Sequence, residues 1–287
     1  GEEYTAVTPP HNRPHRAIIF DADDFGFHPG VNEGIVRTHR SSVVRAASLL
    51  VTGPASADAV SLARAHPILD QGIDLALTTV RPASQPQCVA SLVTRSGRFP
   101  RLGLWLLRLG LGRLDPDDIR RELAAHIERA RDSSPFHASN SHRHVYLFPP
   151  VRTMVAMLVR QSGLPFVRRV AWRPLRPTHD VTNAANMRYA VLDRATNHLD
   201  ERTRLVGTLM TPPRAAGSRR QAFLSTLPVG MTELVLLFSS GESGYSAELI
   251  RSEQDEAKLS WLTSQHLTTA LVPSAIELIS VEALASR

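Results

Sequence analysis

The chain of 287 residues contains one cysteine, Cys88, and one lysine, Lys258. A single thiol excludes an internal disulfide framework and any zinc site built on several cysteines. Aromatic residues make up only 6% of the chain. No stretch reaches the roughly 18 uninterrupted apolar residues that a membrane span requires. Acids are outnumbered by bases, 27 to 33, and the formal net charge of +6 is carried almost wholly by arginine. These arginines form no run interleaved with aromatics, so a solvated basic face is expected rather than a nucleic-acid groove. Residues 1–15 are polar and proline-containing and read as a flexible arm; nothing in them resembles a secretory leader, and a cytoplasmic setting is expected. What the chain does have is a 43% hydrophobic share. That supports one sizeable core and excludes a disordered chain, a coiled coil or a collagen-like fibre.

Apolar runs and amphipathic stretches alternate along the chain. Strands are expected at Ala17–Ala22, Ala46–Val51, Gly72–Leu77, Ala138–Leu147, Phe166–Ala171, Arg204–Leu209, Glu233–Phe238 and Ala275–Ser280. Helices are expected at Pro29–Arg40, Ser56–Ala65, Asp115–Arg131, Val151–Ser162, Thr182–Leu199, Ser218–Leu227 and Glu253–Leu267. Asp115-Pro116 supplies a cap and a first-turn proline for the third of these. Such alternation predicts an α/β fold with mostly parallel strands, one domain over 16–287, of a length that suits a (β/α) barrel. Residues 79–115 interrupt the rhythm with Pro82, Pro86, Pro100 and the apolar WLLRLGL. They read as an insertion after the third strand, part loop and part short helix, with a lid as a candidate role. WLLRLGL is expected to pack on its own barrel, with a membrane or a partner as the alternative.

In parallel α/β proteins chemistry gathers at the carboxyl ends of strands. Three places qualify. Asp21, Asp23 and Asp24 end the first strand. Like charges so close repel unless a cation intervenes, so one carboxylate holding a metal beside a neighbour that accepts a proton is one reading. The other is a turn with Asp24 capping the following helix. His142, His144 and Tyr146 share one face of the expected strand Ala138–Leu147 by its two-residue period, and paired imidazoles suit zinc or a similar ion. Asp74 sits inside the apolar strand GIDLAL, where a carboxylate is costly unless paired. It is either the partner of an arginine or a third ligand beside Asp24 and His142.

These segments carry a resemblance. FDADDFGFHPGVNEGIVRTH, ASLLVTGPASADAVSLARAHP, GIDLALTTVRP, SLVTRSGRFP, NSHRHVYLFPPV and GLPFVRR together resemble the YdjC-like carbohydrate deacetylases, well from Arg16 to Ala171 and thinly from Pro174 onward. The resemblance implies a distorted (β/α) barrel, one divalent metal ion (zinc first, magnesium or manganese as alternatives), and removal of an acetyl group from an N-acetylated sugar or glycolipid. It implies a small carbohydrate partner, no nucleic acid, and a homodimer in many members. Carried over, Asp23 resembles the general base and Asp24 and His142 resemble metal ligands. Asp21 and His144 stand as neighbouring groups or alternative ligands, and Arg168 as an arginine that steadies the base. Two positions depart from the pattern. Asp74 stands where the family has a ligating histidine. Phe238-Ser239-Ser240-Gly241-Glu242 replaces a His-Pro-Gly whose histidine is a plausible acid, leaving Glu242 or His144 as the candidate acid. The alternative to a working hydrolase is a repurposed barrel that binds a carbohydrate-like ligand without catalysis.

Overall fold

The computed structural model describes residues 16–133, 136, 138–163, 166–167, 169–170, 206–207, 227, 230–236, 267, 271 and 276–280. Strand β1 spans Arg16–Phe25, β2 Ala46–Leu49, β3 Asp70–Leu75, β4 Ala138–Ser141, β5 Phe166–Val167, β8 Gly230–Leu236 and β9 Ile276–Leu278. They form one sheet in the order β5-β4-β3-β2-β1-β8, with β9 also on β1, and every pairing is parallel. Two further short strands, β6 (Arg169–Val170) and β7 (Val206–Gly207), pair with each other. Strands from both ends of the chain therefore flank β1. A closed barrel is not among the described pairings, in which β5 and β8 end the main path.

The physical reason for β1 at the centre lies in its residues. Ile18, Ile19, Phe20 and Ala22 are fully buried. Such burial on both faces marks a central parallel strand, each large side chain contributing about 1.5–3 kcal/mol. Helix α1 (Pro29–Arg40) begins on a proline, and the His28 ring accepts from the Gly30 amide at 3.1 Å as its cap. Helix α2 (Ser56–Ala65) and helix α4 (Pro116–Arg131) follow the expected ranges, and Asp115 caps α4 through the Asp117 amide at 2.9 Å. Helix α5 covers Pro149–Gln161.

The 79–115 segment contains a 3-10 turn, Pro86–Val89, and helix α3, Leu102–Gly110. Val89, Leu92, Phe99 and Trp105 enter the common core, as expected of a segment packed on its own domain. Among the described residues no helix is long and apolar enough to cross a membrane.

One expected strand needs correction. Ala138–Leu147 does not run as a single strand: β4 stops at Ser141, and His142–Leu147 winds into a 3-10 helix. Its residues Val145, Tyr146 and Leu147 are all buried. Consecutive burial of that kind is foreign to a two-sided strand with one wet face, and it suits a tight turn pressed into the core. The common strand face assigned to His142, His144 and Tyr146 therefore does not exist. The helices expected at Thr182–Leu199 and Ser218–Leu227 lie outside the described residues, Leu227 apart.

Candidate metal centre

Three residues distant in sequence meet at the carboxyl ends of the strands. Asp24 comes from the end of β1, Asp74 from β3, and His142 from the first position after β4. One ligand atom from each lies within 4.8 Å of the others. The His142 Nδ1 is 2.7 Å from Asp24 Oδ1 and 3.8 Å from Asp74 Oδ2. Asp74 and His142 are buried, and Asp24 is partly open.

Local backbone geometry places Asp24. The β1–β2 register shifts between Ala22 and Phe25, which face Ala47 and Leu49, so β1 carries one extra residue at Asp23-Asp24. A bulge of this kind redirects side chains at the end of a strand. Asp24 itself has φ +64, a conformation that aspartate tolerates better than most residues but that still costs energy. The loop is then locked from behind. Asn32, fully buried in α1, accepts from the Gly26 amide at 2.7 Å and donates to the Ala55 carbonyl at 3.1 Å and to Asp58 at 2.7 Å. Gly26 has φ +100, and a Cβ on Gly53 would stand 2.2 Å from the Gly26 oxygen, so both positions demand glycine. Phe27 stacks on the His142 ring, with centroids 6.2 Å apart and planes at 24°.

The expected residues are distributed as follows. Asp24, Asp74 and His142 come together. Asp24 does not cap α1; His28 does. Asp23 is buried beside Asp24 on the bulge. Asp21 is buried one step back and accepts from the Ser48 hydroxyl of β2 at 3.2 Å. His144 lies within the 3-10 helix. Arg168, Ser239 and Glu242 lie outside the described residues. The sequence reading missed Asn32 and Phe27. Their only signal is an asparagine early in a predicted helix and an aromatic following the acids, neither of which specifies a partner.

The donor set fits a divalent cation. Ligand atoms about 2.0–2.2 Å from one ion lie roughly 3–4.4 Å from each other, comparable with the separations here. Two carboxylates neutralise a dication, and an imidazole adds a neutral nitrogen ligand. The Nε2 of His142 is buried without a hydrogen-bond partner among the described residues. A cation held between the two would replace the direct 2.7 Å contact of His142 Nδ1 with Asp24 Oδ1.

Fold and site together define a class: a parallel α/β protein with a buried carboxylate–imidazole centre at the carboxyl ends of its strands. The sequence profile of the YdjC-like proteins matches residues 17–272, and the chain belongs to that family. It is 40% identical over 169 residues to a carbohydrate deacetylase of Geobacillus stearothermophilus, covering 58% of this chain and 65% of that one. It is 37% identical over 153 residues to a chitooligosaccharide deacetylase of Salmonella typhimurium, covering 52% and 58%. The chain thus spans less than two thirds of the length of these relatives. A solved structure from Enterococcus faecalis, described as a candidate cellobiose-phosphate cleavage protein, shares the fold with a TM-score of 0.70 at 22% identity, over 94% of this chain and 99% of that one.

Proposed function

We propose that the protein is a metal-dependent hydrolase that removes an acetyl group from an N-acetylated sugar or glycolipid, on a β/α barrel whose metal site is modified. The observation that carries this reading is the convergence of Asp24, Asp74 and His142 within 4.8 Å. The names of the related proteins support the reaction class.

Asp24, Asp74 and His142 would hold the ion. A divalent ion bound there supplies a Lewis acid for a carbonyl oxygen and lowers the pKa of water. Asp23 takes up a proton from the attacking water on its carboxylate. Asp21, two residues before Asp23 on β1, is held in place by the Ser48 hydroxyl. Arg168 steadies the base. Glu242 or His144 delivers a proton to the departing amine nitrogen. Phe27 covers one face of His142 and keeps water from it. Compared with a set holding two histidines, the Asp/Asp/His set is more negative and harder, so magnesium or manganese competes better with zinc.

The test is metal content, measured by inductively coupled plasma mass spectrometry on protein purified without a metal-affinity column, paired with acetate release from N-acetylated chitooligosaccharides. About one equivalent of metal, lost in Asp24→Ala/His142→Ala, with acetate release lost as well, is the expected result. Metal without acetate release from any acetylated sugar would favour the repurposed, ligand-binding reading. No metal after incubation with zinc, manganese and magnesium would overturn the metallohydrolase reading.

A further inference from the structure

We infer that the outer face of α3 is a docking surface for an anionic lipid membrane. The helix has two apolar faces. Trp105 points inward, fully buried, with its ring 5.7 Å from that of Phe148. Leu104, Leu107 and Leu111, spaced three and four residues apart, lie on another face and are 43%, 56% and 55% exposed. They are the large hydrophobic residues that the described part of the molecule leaves in water, apart from Ile68. A helix that is apolar on both sides is normally covered on both, so the outer leucines require a partner.

Charge selects that partner. Between Thr94 and Leu114 stand five arginines and no aspartate or glutamate. Arg108 is turned inward, donating to the Ser91 and Val93 carbonyls at 3.2 and 2.9 Å. Arg95, Arg98, Arg101 and Arg113 are exposed. The acids that begin α4 are engaged locally: Asp115 caps the helix, Asp117 pairs with Arg120, and Asp118 holds Ser91 and Arg121. Exposed leucines rimmed by arginines that pair with no acid among the described residues match the interface of a bilayer, with apolar side chains among the acyl chains and guanidinium groups at the phosphates. A second copy of the chain would bring the same cluster of arginines against itself. A nucleic acid would use the arginines and leave the leucines exposed.

This surface is fastened to the rest of the domain. The preceding loop is tied to α4 through Glu122, which accepts from the Ala83 and Ser84 amides at 2.6 and 3.0 Å, and through a bond from Arg121 to the Cys88 carbonyl. Phe148, against which Trp105 packs, directly follows the 3-10 helix that opens with His142. Docking would therefore bring the lipid surface close to the element that supplies a site residue, whatever the substrate is.

The experiment is sedimentation of the full chain with vesicles of phosphatidylcholine containing 30% phosphatidylglycerol, and with pure phosphatidylcholine vesicles. Binding is expected to the anionic vesicles at least tenfold more strongly, and to weaken in 1 M salt, where the screening length falls to about 3 Å. Leu104→Ser/Leu107→Ser/Leu111→Ser should lose at least tenfold with an unchanged melting temperature. Arg101→Gln/Arg113→Gln should lose roughly 25-fold, about fivefold for each arginine. Equal binding by the leucine variant, or no binding to anionic vesicles, overturns the inference. So does a dimer in analytical ultracentrifugation that the leucine substitutions dissociate, since a second copy would then be the cover.

Discussion

Glu122 and His126 on α4, and Asp24, Asp74 and His142 at the strand ends, are both buried assemblies of carboxylate and imidazole, but they are completed differently. Each Glu122 oxygen accepts from a backbone amide of the insertion, and the His126 Nδ1 lies 3.2 Å from one of those oxygens. The His126 ring also meets the Glu122 carbonyl at 3.0 Å and the Thr52 hydroxyl at 3.5 Å. Burial holds the pKa of His126 below its ordinary value, with the nearby Glu122 carboxylate opposing that shift. This assembly is closed by the chain's own donors. The second gathers two carboxylates and one imidazole from three separate elements, with one ligand atom of each within 4.8 Å of the others, a spacing that suits a divalent cation. Acid–imidazole pairing alone therefore does not mark a site. The donors that surround it do.

The contrast can be broken in order of expected size. Glu122→Ala leaves the part-buried Ala83 and Ser84 amides without their acceptor and His126 without the carboxylate beside it, and should cost about 3 kcal/mol of unfolding free energy by urea denaturation, whether or not metal is present. A loss under 1 kcal/mol would mean that the insertion does not depend on this anchor. Asp74→Asn should act on the other assembly in the opposite sense. Metal affinity by titration calorimetry should fall about 100-fold, or roughly 2.7 kcal/mol. Stability in excess EDTA should stay level or rise, because one of two crowded carboxylates is gone. Destabilisation in EDTA would place Asp74 with the structural class. Asn32→Ala couples the two behaviours. Losing its bonds to Gly26, Ala55 and Asp58 should cost about 2 kcal/mol and weaken metal binding about tenfold by loosening the Asp24 loop.

The smallest effect is in pH. Burial lowers the pKa of both His39 and His126 in the folded chain. The unfolded chain therefore takes up protons first as pH falls through about 6.5, and the folded state loses stability below that point. Urea denaturation in EDTA should give a lower midpoint at pH 5.5 than at pH 7.5. A combined His39→Gln/His126→Gln variant should reduce that difference, and an unchanged difference would assign it to other groups.

Much of the α/β order was legible locally. Pro29 and Pro116 open helices where a first-turn proline is favoured, and α1, α2 and α4 match their expected ranges. The apolar run Ala17–Ala22 announced a buried strand, and β1 contains it; its place at the centre of the sheet came from the pairings. His142–Leu147 misled because a two-residue period can be laid on His142, His144 and Tyr146 whatever the backbone does, and only burial of Val145, Tyr146 and Leu147 together separates strand from turn. Asp24 was legible as a site residue but not in its conformation. Its φ of +64 depends on a bulge and on Asn32, whose bond to Gly26 is a tertiary fact of helix α1 meeting the end of a strand.

The residues alone set the chemistry available: acids at the ends of apolar strands, a histidine after another strand, and a single cysteine, which excludes a disulfide framework and a zinc site built on several cysteines. Tertiary structure decided which of those groups meet. Parallel pairing of β1, β2, β3 and β4 brings Asp24, Asp74 and His142 to the same end of one sheet. No local signal in the chain encodes that distance, because it arises from register between strands that long crossovers separate.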